Sequence, residues 1–243
     1  MAYPRNLDHL GVPAAWKEQF TGSGLLLVSG PPRSGRSWSL LAALGEQSER
    51  GGAAISFEAR VQRPLEHVQH VDLQAGGQSL LEALQLLEDC RERFLAIEEL
   101  TEADSAQAAL ELAARGNLVV AGLEADSCAD ALLRLQNWNL PDSLLPQLRA
   151  VCSQRLVPSL CQRCHGAGCV SCETGRVGLC LLMEYATRLP PRWWQLPDGR
   201  LPQSLLDLGL YSLQQAVRDK VEQGLIPEPA AAPKKARPRK IKS

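Results

Sequence analysis

The sequence predicts an α/β fold: a mostly parallel sheet with helices on both faces, plus a small cysteine-rich insert. Three observations carry this expectation. Short apolar runs alternate with helical periodicity through the first two thirds of the chain. One of these runs ends in a glycine-bounded loop that opens a helix. Near residue 160 the composition shifts to Cys and Gly, with four cysteines in two C-x-x-C pairs.

The elements follow in order. Leu25 to Val28 is a short buried run that ends at Gly30, and Trp38 to about Gln47 reads as a helix. Ala53 to Phe57 is a second strand. Ser79 to Arg91 places apolar residues at 80, 81, 84 and 87, one helical face. Phe94 to Ile97 is a strand, Gln107 to Ala114 a helix stopped by Gly116, Leu118 to Gly122 a strand, and Cys128 to Leu135 a helix. Leu144 to Leu156 is expected to be helical. Residues 161–180 lack the long apolar side chains of a core, so another agent must hold them. Then come the apolar stretch Leu181 to Tyr185, a Pro/Trp-rich segment from Leu189 to Pro202, and a last helix, about Ser204 to Gln223. Pro227 to Pro233 has a linker composition. No internal repeat is found.

Composition narrows the classes. The chain has 243 residues, 45% hydrophobic, with 26 Lys+Arg against 27 Asp+Glu and 8 cysteines. This is long enough for a full core and too apolar for wholesale disorder. No apolar run approaches the ~20 residues needed to span a bilayer. The start, Met1 to Arg5, has no apolar secretory region. A cytoplasmic chain is expected, with cysteines used for metal rather than disulfides. The charge is uneven. Lys234, Lys235, Arg237, Arg239, Lys240 and Lys242 form a tail without acids, which leaves 20 basic against 27 acidic residues elsewhere. The tail has no aromatic residue to stack on bases, so a solvated tail is preferred over nucleic-acid binding.

Gly30-Pro31-Pro32-Arg33-Ser34-Gly35-Arg36-Ser37 matches the phosphate-loop pattern G-x-x-x-x-G-K-[ST] except at the lysine, which is Arg36. In such a loop, glycines let the backbone approach phosphate, amides and the helix N-terminus supply positive potential, and Ser37 would offer a hydroxyl to Mg²⁺. Arginine is wider and forked, so the swap is not conservative. A folded turn that holds no nucleotide is the alternative.

Cys161-x2-Cys164-x4-Cys169-x2-Cys172 has the spacing of a tetrathiolate zinc site. Gly166 and Gly168 permit the tight turns, and Arg155, Arg163 and Arg176 offset thiolate charge. Four thiolates leave no open position, so the expected Zn²⁺ is structural and His165 is a bystander. Cys90, Cys128, Cys152 and Cys180 read as buried small hydrophobes. His67 and His70 have no evident third ligand and read as surface residues. Trp193 and Trp194 read as packing residues.

On these motifs the chain resembles the motor ATPases of type II secretion and type IV pilus assembly, the GspE/PilB group, from about residue 7 to about residue 226. Leu10-Gly11-Val12-Pro13 matches the family's lead-in "LGLP", and Gly24 to Ser37 matches its strand and loop. Gln154 to Cys161 and Thr174 to Glu184 match the segments that flank the family's tetracysteine insert. The resemblance implies a RecA-like P-loop NTPase core over 1–157, a zinc-binding insert over 158–188 and a C-terminal helical part of the same domain over 189–226; composition and charge add a disordered basic tail over 227–243. It implies ATP with Mg²⁺ as ligand, Glu58 as water activator and Glu99 as the acid that polarises water near the metal. The charged boxes are eroded. The family's aspartate after Glu58 is Ala59, its glycine before Glu99 is Glu98, its two box histidines are Asn117 and Glu124, and its upstream arginine does not align within Glu88 to Arg93. Family members also use arginines from N-terminal domains, and only 29 residues precede Gly30. An arginine finger contributes a factor of about 10³–10⁵, so hydrolysis by this chain alone is expected to be slow or nil.

The expected function is therefore an ATP-binding, ATPase-like component of a secretion or pilus machine with degenerate catalytic motifs. The alternatives are a non-catalytic scaffold or regulator of the true motor and, more weakly, a zinc-ribbon nucleic-acid binder. Expected partners are machinery proteins, a full-length motor ATPase or further copies in a homo- or hetero-oligomer. Peripheral association with the inner membrane fits that role.

Overall fold

The computed structural model describes residues 6–87 and 93–228. Cys90, the acids before Arg91 and the basic tail lie outside the described residues. The strands are β1 (Gly24–Gly30), β2 (Ala54–Glu58), β3 (Val68–Asp72), β4 (Phe94–Ile97), β5 (Leu118–Glu124), β6 (Leu148–Leu160) and β7 (Arg176–Ala186). The helices are α1 (Ala14–Lys17), α2 (Arg36–Glu49), α3 (Leu73–Gly76), α4 (Leu80–Gln85), α5 (Ala103–Ala114), α6 (Cys128–Asn137), α7 (Leu201–Asp207) and α8 (Leu213–Glu222). The strands form one sheet in the order β3-β2-β4-β5-β1-β6-β7. All pairs are parallel except β6 with β7.

Both faces of the sheet are covered, which is why β1, β2, β4 and β5 read as nearly continuous apolar runs. Leu25 and Leu27 of β1 pack with Ile55, Leu95, Val119 and the helices α5 and α6. Leu26 and Val28 point the other way, onto Leu40, Ala43 and Leu44 of α2 and onto Trp16 and Phe20. Local signals fix the helix starts. The Ser127 side chain caps α6 by accepting from the Asp130 amide, and Ser79 with Glu82 forms a reciprocal capping box on α4.

Three expectations are corrected. The helix expected over 144–156 is a single 3-10 turn, Leu145–Gln147, followed by β6. Its apolar residues satisfied a helical face, but pairing beside β1 buries Ala150, Val151 and Cys152 completely, and that tertiary gain decides. The helix expected over 204–223 is two helices, α7 and α8. The chain breaks at Gly209, Tyr211 pairs with Tyr185 of β7, and Ser212 caps α8 anew. Between Ser79 and Leu87 the helix spans only Leu80–Gln85. The apolar stretch Leu181 to Tyr185 is the middle of β7, and Trp193 is packed in the core as expected. The outer ends of β6 and β7 are more exposed, and the cysteine pairs lie between them.

Because the sheet is parallel, β1, β2, β4 and β5 all end at one edge, where such folds bind ligands. The close β4–β5 approach there demands glycine at 122, since a Cβ would overlap the Glu98 carbonyl oxygen. Gly122→Ala is expected to destabilise the protein by about 2 kcal/mol or more, read as the urea unfolding midpoint. An unchanged midpoint would contradict this packing.

Candidate functional site: the loop at the strand ends

The loop after β1 turns into α2 through Gly35, whose φ of +90° is left-handed. A Cβ at Gly35 would also meet Leu156 Cδ1 at 2.9 Å. The loop is braced from β6. Gln154, fully buried, donates to the Ser34 carbonyl at 3.0 Å and accepts from the Ser39 hydroxyl at 2.9 Å. An open cleft of about 440 Å³ lies against it. Pro31, Arg33, Ser34, Gly35, Arg36 and Ser37 line one side, and Glu58, Arg60, Arg63 and Glu98 the other. Gly30 and Pro32 belong to the loop without lining the cleft. The structure thus brings Glu58 and most of the predicted loop together.

Arg36 is turned inward. Its Nη2 lies 2.8 Å from Glu99 Oε1, and its Nη1 donates to the Gly30 carbonyl and, at 3.4 Å, to that of Leu123. The Arg36 side chain is 13% exposed and that of Glu99 36%. Of the two adjacent acids, Glu98 lines the cleft, and its Oε2 accepts the Ala59 amide at 2.8 Å. Ser34 Oγ is buried and has no hydrogen-bond partner. An unmet hydroxyl beside the N-terminus of a fourteen-residue helix, in a residue that lines the open cleft, fits an oxyanion ligand such as phosphate.

Glu58 has partners that the sequence reading missed. Its Oε1 accepts from Ser56 Oγ at 2.7 Å and lies 2.8 Å from Nδ1 of His70. His70 is not a surface residue: its side chain is 9% exposed, and its Nε2 accepts the Leu65 amide at 2.8 Å. The only signal for it was a short, half-polar strand, β3, whose pattern gave no periodicity. Asn117, which the resemblance sets against one of the family's box histidines, lies at the far, N-terminal end of β5. It is buried, donates to the Leu112 carbonyl at 2.9 Å and accepts the Arg93 amide at 3.2 Å. Its role is to close the α5–β5 turn. Glu124, set against the other, ends β5 beside a second, smaller cleft with Asp126, Asp130 and Arg134.

Just past the C-terminal end of β6, the sulfurs of Cys161, Cys164, Cys169 and Cys172 all lie within 4.8 Å of one another, and Cys172 Sγ is 3.4 Å from Cys164 Sγ and 3.5 Å from Cys169 Sγ. Four sulfurs around a tetrahedral Zn²⁺ sit roughly 3.8 Å apart, given Zn–S bonds of about 2.3 Å. The group is therefore one that could hold a metal ion. Backbone amides of Arg163 and Cys164 pull the Cys161 thiol down to about 7, the direction that ligation needs. Burial and the neighbouring sulfurs push Cys172 up to about 12, a cost that a bound dication would reverse. The group comprises the four cysteines, without His165. Cys128 and Cys152 are deeply buried, and burial raises both thiols, as befits packing residues.

The sheet, the loop and the helix behind it define a P-loop NTPase-like fold of the α/β class. Over 93% of this chain, the ATPase DotB of Legionella pneumophila superimposes with a TM-score of 0.74 at 18% identity, with 63% of that chain covered. The pilus retraction motor PilT, solved with bound ADP, gives 0.72 at 22% identity, covering 91% of this chain and 64% of that one. Residues 4–193 match the family described as type II/IV secretion system protein, and the chain belongs to that family. The type II secretion system protein E of Klebsiella pneumoniae is 31% identical over 66% of this chain and 34% of its own length. The type IV pilus assembly ATPase PilB of Pseudomonas aeruginosa is 27% identical over 65% and 29%. The chain thus spans about a third of the length of these relatives.

The unmet Ser34 hydroxyl yields a test. Removing a buried, unpaired hydroxyl relieves a penalty, so Ser34→Ala is expected to leave the ligand-free protein as stable as before or up to about 1 kcal/mol more stable in thermal unfolding. A loss larger than that would show that the hydroxyl already has a partner.

Proposed function

We propose that the chain is a nucleotide-binding component of a type II secretion or type IV pilus machine in which hydrolysis is weak. The observation that carries this reading is the placement of Arg36. At the position where the family uses a compact ammonium, a forked guanidinium is tied to Glu99 and to two backbone carbonyls of the sheet edge. A group committed to the protein stabilises the loop equally in every state of a reaction. Only interactions that strengthen toward the transition state accelerate it. The same contact occupies Glu99, the acid proposed to act near the metal. Glu58 remains the best-placed candidate to orient a water, since it faces the loop across the cleft.

The residues present fit ATP with Mg²⁺ in part. Gly35, Ser34 and the first turn of α2 would cradle phosphate, Ser37 would face the metal, and Arg33 and Arg60 would add charge from the rim. When bound, the ion would supply charge neutralisation between phosphate oxygens. That PilB is named an ATPase and PilT was solved with ADP supports the ligand class. The eroded boxes favour a second reading, a non-catalytic scaffold or regulator of a full motor. In either case the cysteine group is proposed to hold a structural Zn²⁺. No described helix is long and apolar enough to cross a membrane. The proposed location is the cytoplasmic side of the machine's membrane, among other machinery proteins.

Equilibrium binding of a fluorescent ATP analogue with Mg²⁺, read beside phosphate release, tests the reading. Binding with little turnover is expected, and Arg36→Lys is expected to raise turnover about tenfold or more by restoring a mobile ammonium. Fast turnover of the unaltered protein, lost in Glu99→Gln, would show an intact motor instead. Absence of binding would leave the scaffold. Metal analysis of the purified protein is expected to give one zinc per chain, lost in Cys169→Ser; a metal-free wild type would sink the zinc assignment.

A further inference from the structure

We propose that His70 is a positioning residue of the candidate cleft, one that aims Glu58 with one edge of its ring and anchors the β2–β3 loop with the other; this rests on the nucleotide reading above. The two ring nitrogens have different jobs. Nε2 accepts the Leu65 amide at 2.8 Å, so it carries a lone pair and the proton sits on Nδ1. Nδ1 lies 2.8 Å from Glu58 Oε1 and 2.7 Å from Ser56 Oγ. The serine hydroxyl donates to the same carboxylate oxygen at 2.7 Å. Glu58 is thus held through one oxygen by two donors, and its rotamer is fixed from the side of the sheet.

The second edge of the ring acts on the chain that crosses the mouth of the cleft. Residues 59–67 leave the end of β2 and return to β3, bringing Arg60, Gln62 and Arg63 onto the cleft wall opposite the phosphate loop. The segment is largely exposed and has few apolar residues to pin it. Its polar anchors among the described residues include the Ala59 carbonyl, which accepts the Gln74 amide at 3.1 Å. The Ala59 amide goes to Glu98, the Val61 amide to Asp72 Oδ2 at 3.0 Å, and the Leu65 amide to His70, while the Arg63 guanidinium lies 4.9 Å over the Trp38 ring. His70 and Asp72 lie two apart on β3 and therefore share a face, and together they hold the loop at two points. Only His70 also touches the candidate water-orienting acid, so one imidazole couples the carboxylate to the cationic wall.

The test pairs a measurement that needs no nucleotide with one that does. In the unaltered protein, long-range ¹H–¹⁵N spectra are expected to show His70 protonated on Nδ1 with a free Nε2; the opposite tautomer would overturn the proposal without any variant. His70→Ala removes both edges, whereas His70→Gln keeps one donor and one acceptor on a planar head. Hydrogen exchange at the Leu65 amide is expected to quicken about tenfold in His70→Ala and to stay within about threefold of wild type in His70→Gln. Affinity for the fluorescent ATP analogue is expected to fall about tenfold in His70→Ala and to recover in His70→Gln. Unchanged exchange in His70→Ala overturns the anchoring. Unchanged affinity in His70→Ala overturns the positioning role. If the wild type binds no analogue, the nucleotide reading fails, and the Leu65 amide and the ring tautomer alone decide whether His70 holds the loop.

Discussion

The structure depends on one strand. All seven residues of β1 are buried, and it is paired in parallel on one side with β5 and on the other with β6. The parallel register that puts Gly30 opposite Glu124 also puts Ala121 beside Ile97 and Ile97 beside Phe57, which lines up the ends of β5, β4 and β2. The loop at 30–35, Glu58 and Glu98 meet because the sheet leaves them no other place. The site is a by-product of burying leucines on both faces.

Much of this was legible in the sequence. The runs at 25–28, 53–57, 94–97 and 118–122 are apolar because both faces of those strands are covered, and no surface requirement blurs them. The loop was legible because its glycines and its position between strand and helix serve a backbone geometry. β6 was not. Its alternation is hidden because its inner half is buried on both sides, so a short apolar run of that kind fits helix and strand alike. β3 was missed for the opposite reason: it is an edge strand, and Gln69, His70 and Asp72 gave no apolar pattern. His70 was lost with it. Nor does a sequence reveal which of two adjacent acids enters a cleft. Glu98 and Glu99 sit where the chain leaves β4 and point different ways, and only the fold assigns one to the cleft and the other to Arg36.

Strand β6 joins two chemistries, one at its middle and one just past its C-terminal end. Gln154 braces the phosphate loop from within the sheet, and seven residues later Cys161 begins the thiol cluster. The strand between them is paired along its length with β7. Within the cleft the polar groups are unevenly satisfied. Ser34 lacks a partner, while Arg36 has three.

The outer border of the sheet at β3 has a further consequence. The strand is five residues long, exposes Gln69 and is followed at once by the α3 turn. A neighbour seeking to extend the sheet would find little ladder to zip against and charges to desolvate, which is how natural proteins blunt sheet borders. At the other border, Tyr211 and the helix α8 lie against β7. Growth by strand addition is therefore discouraged on both flanks.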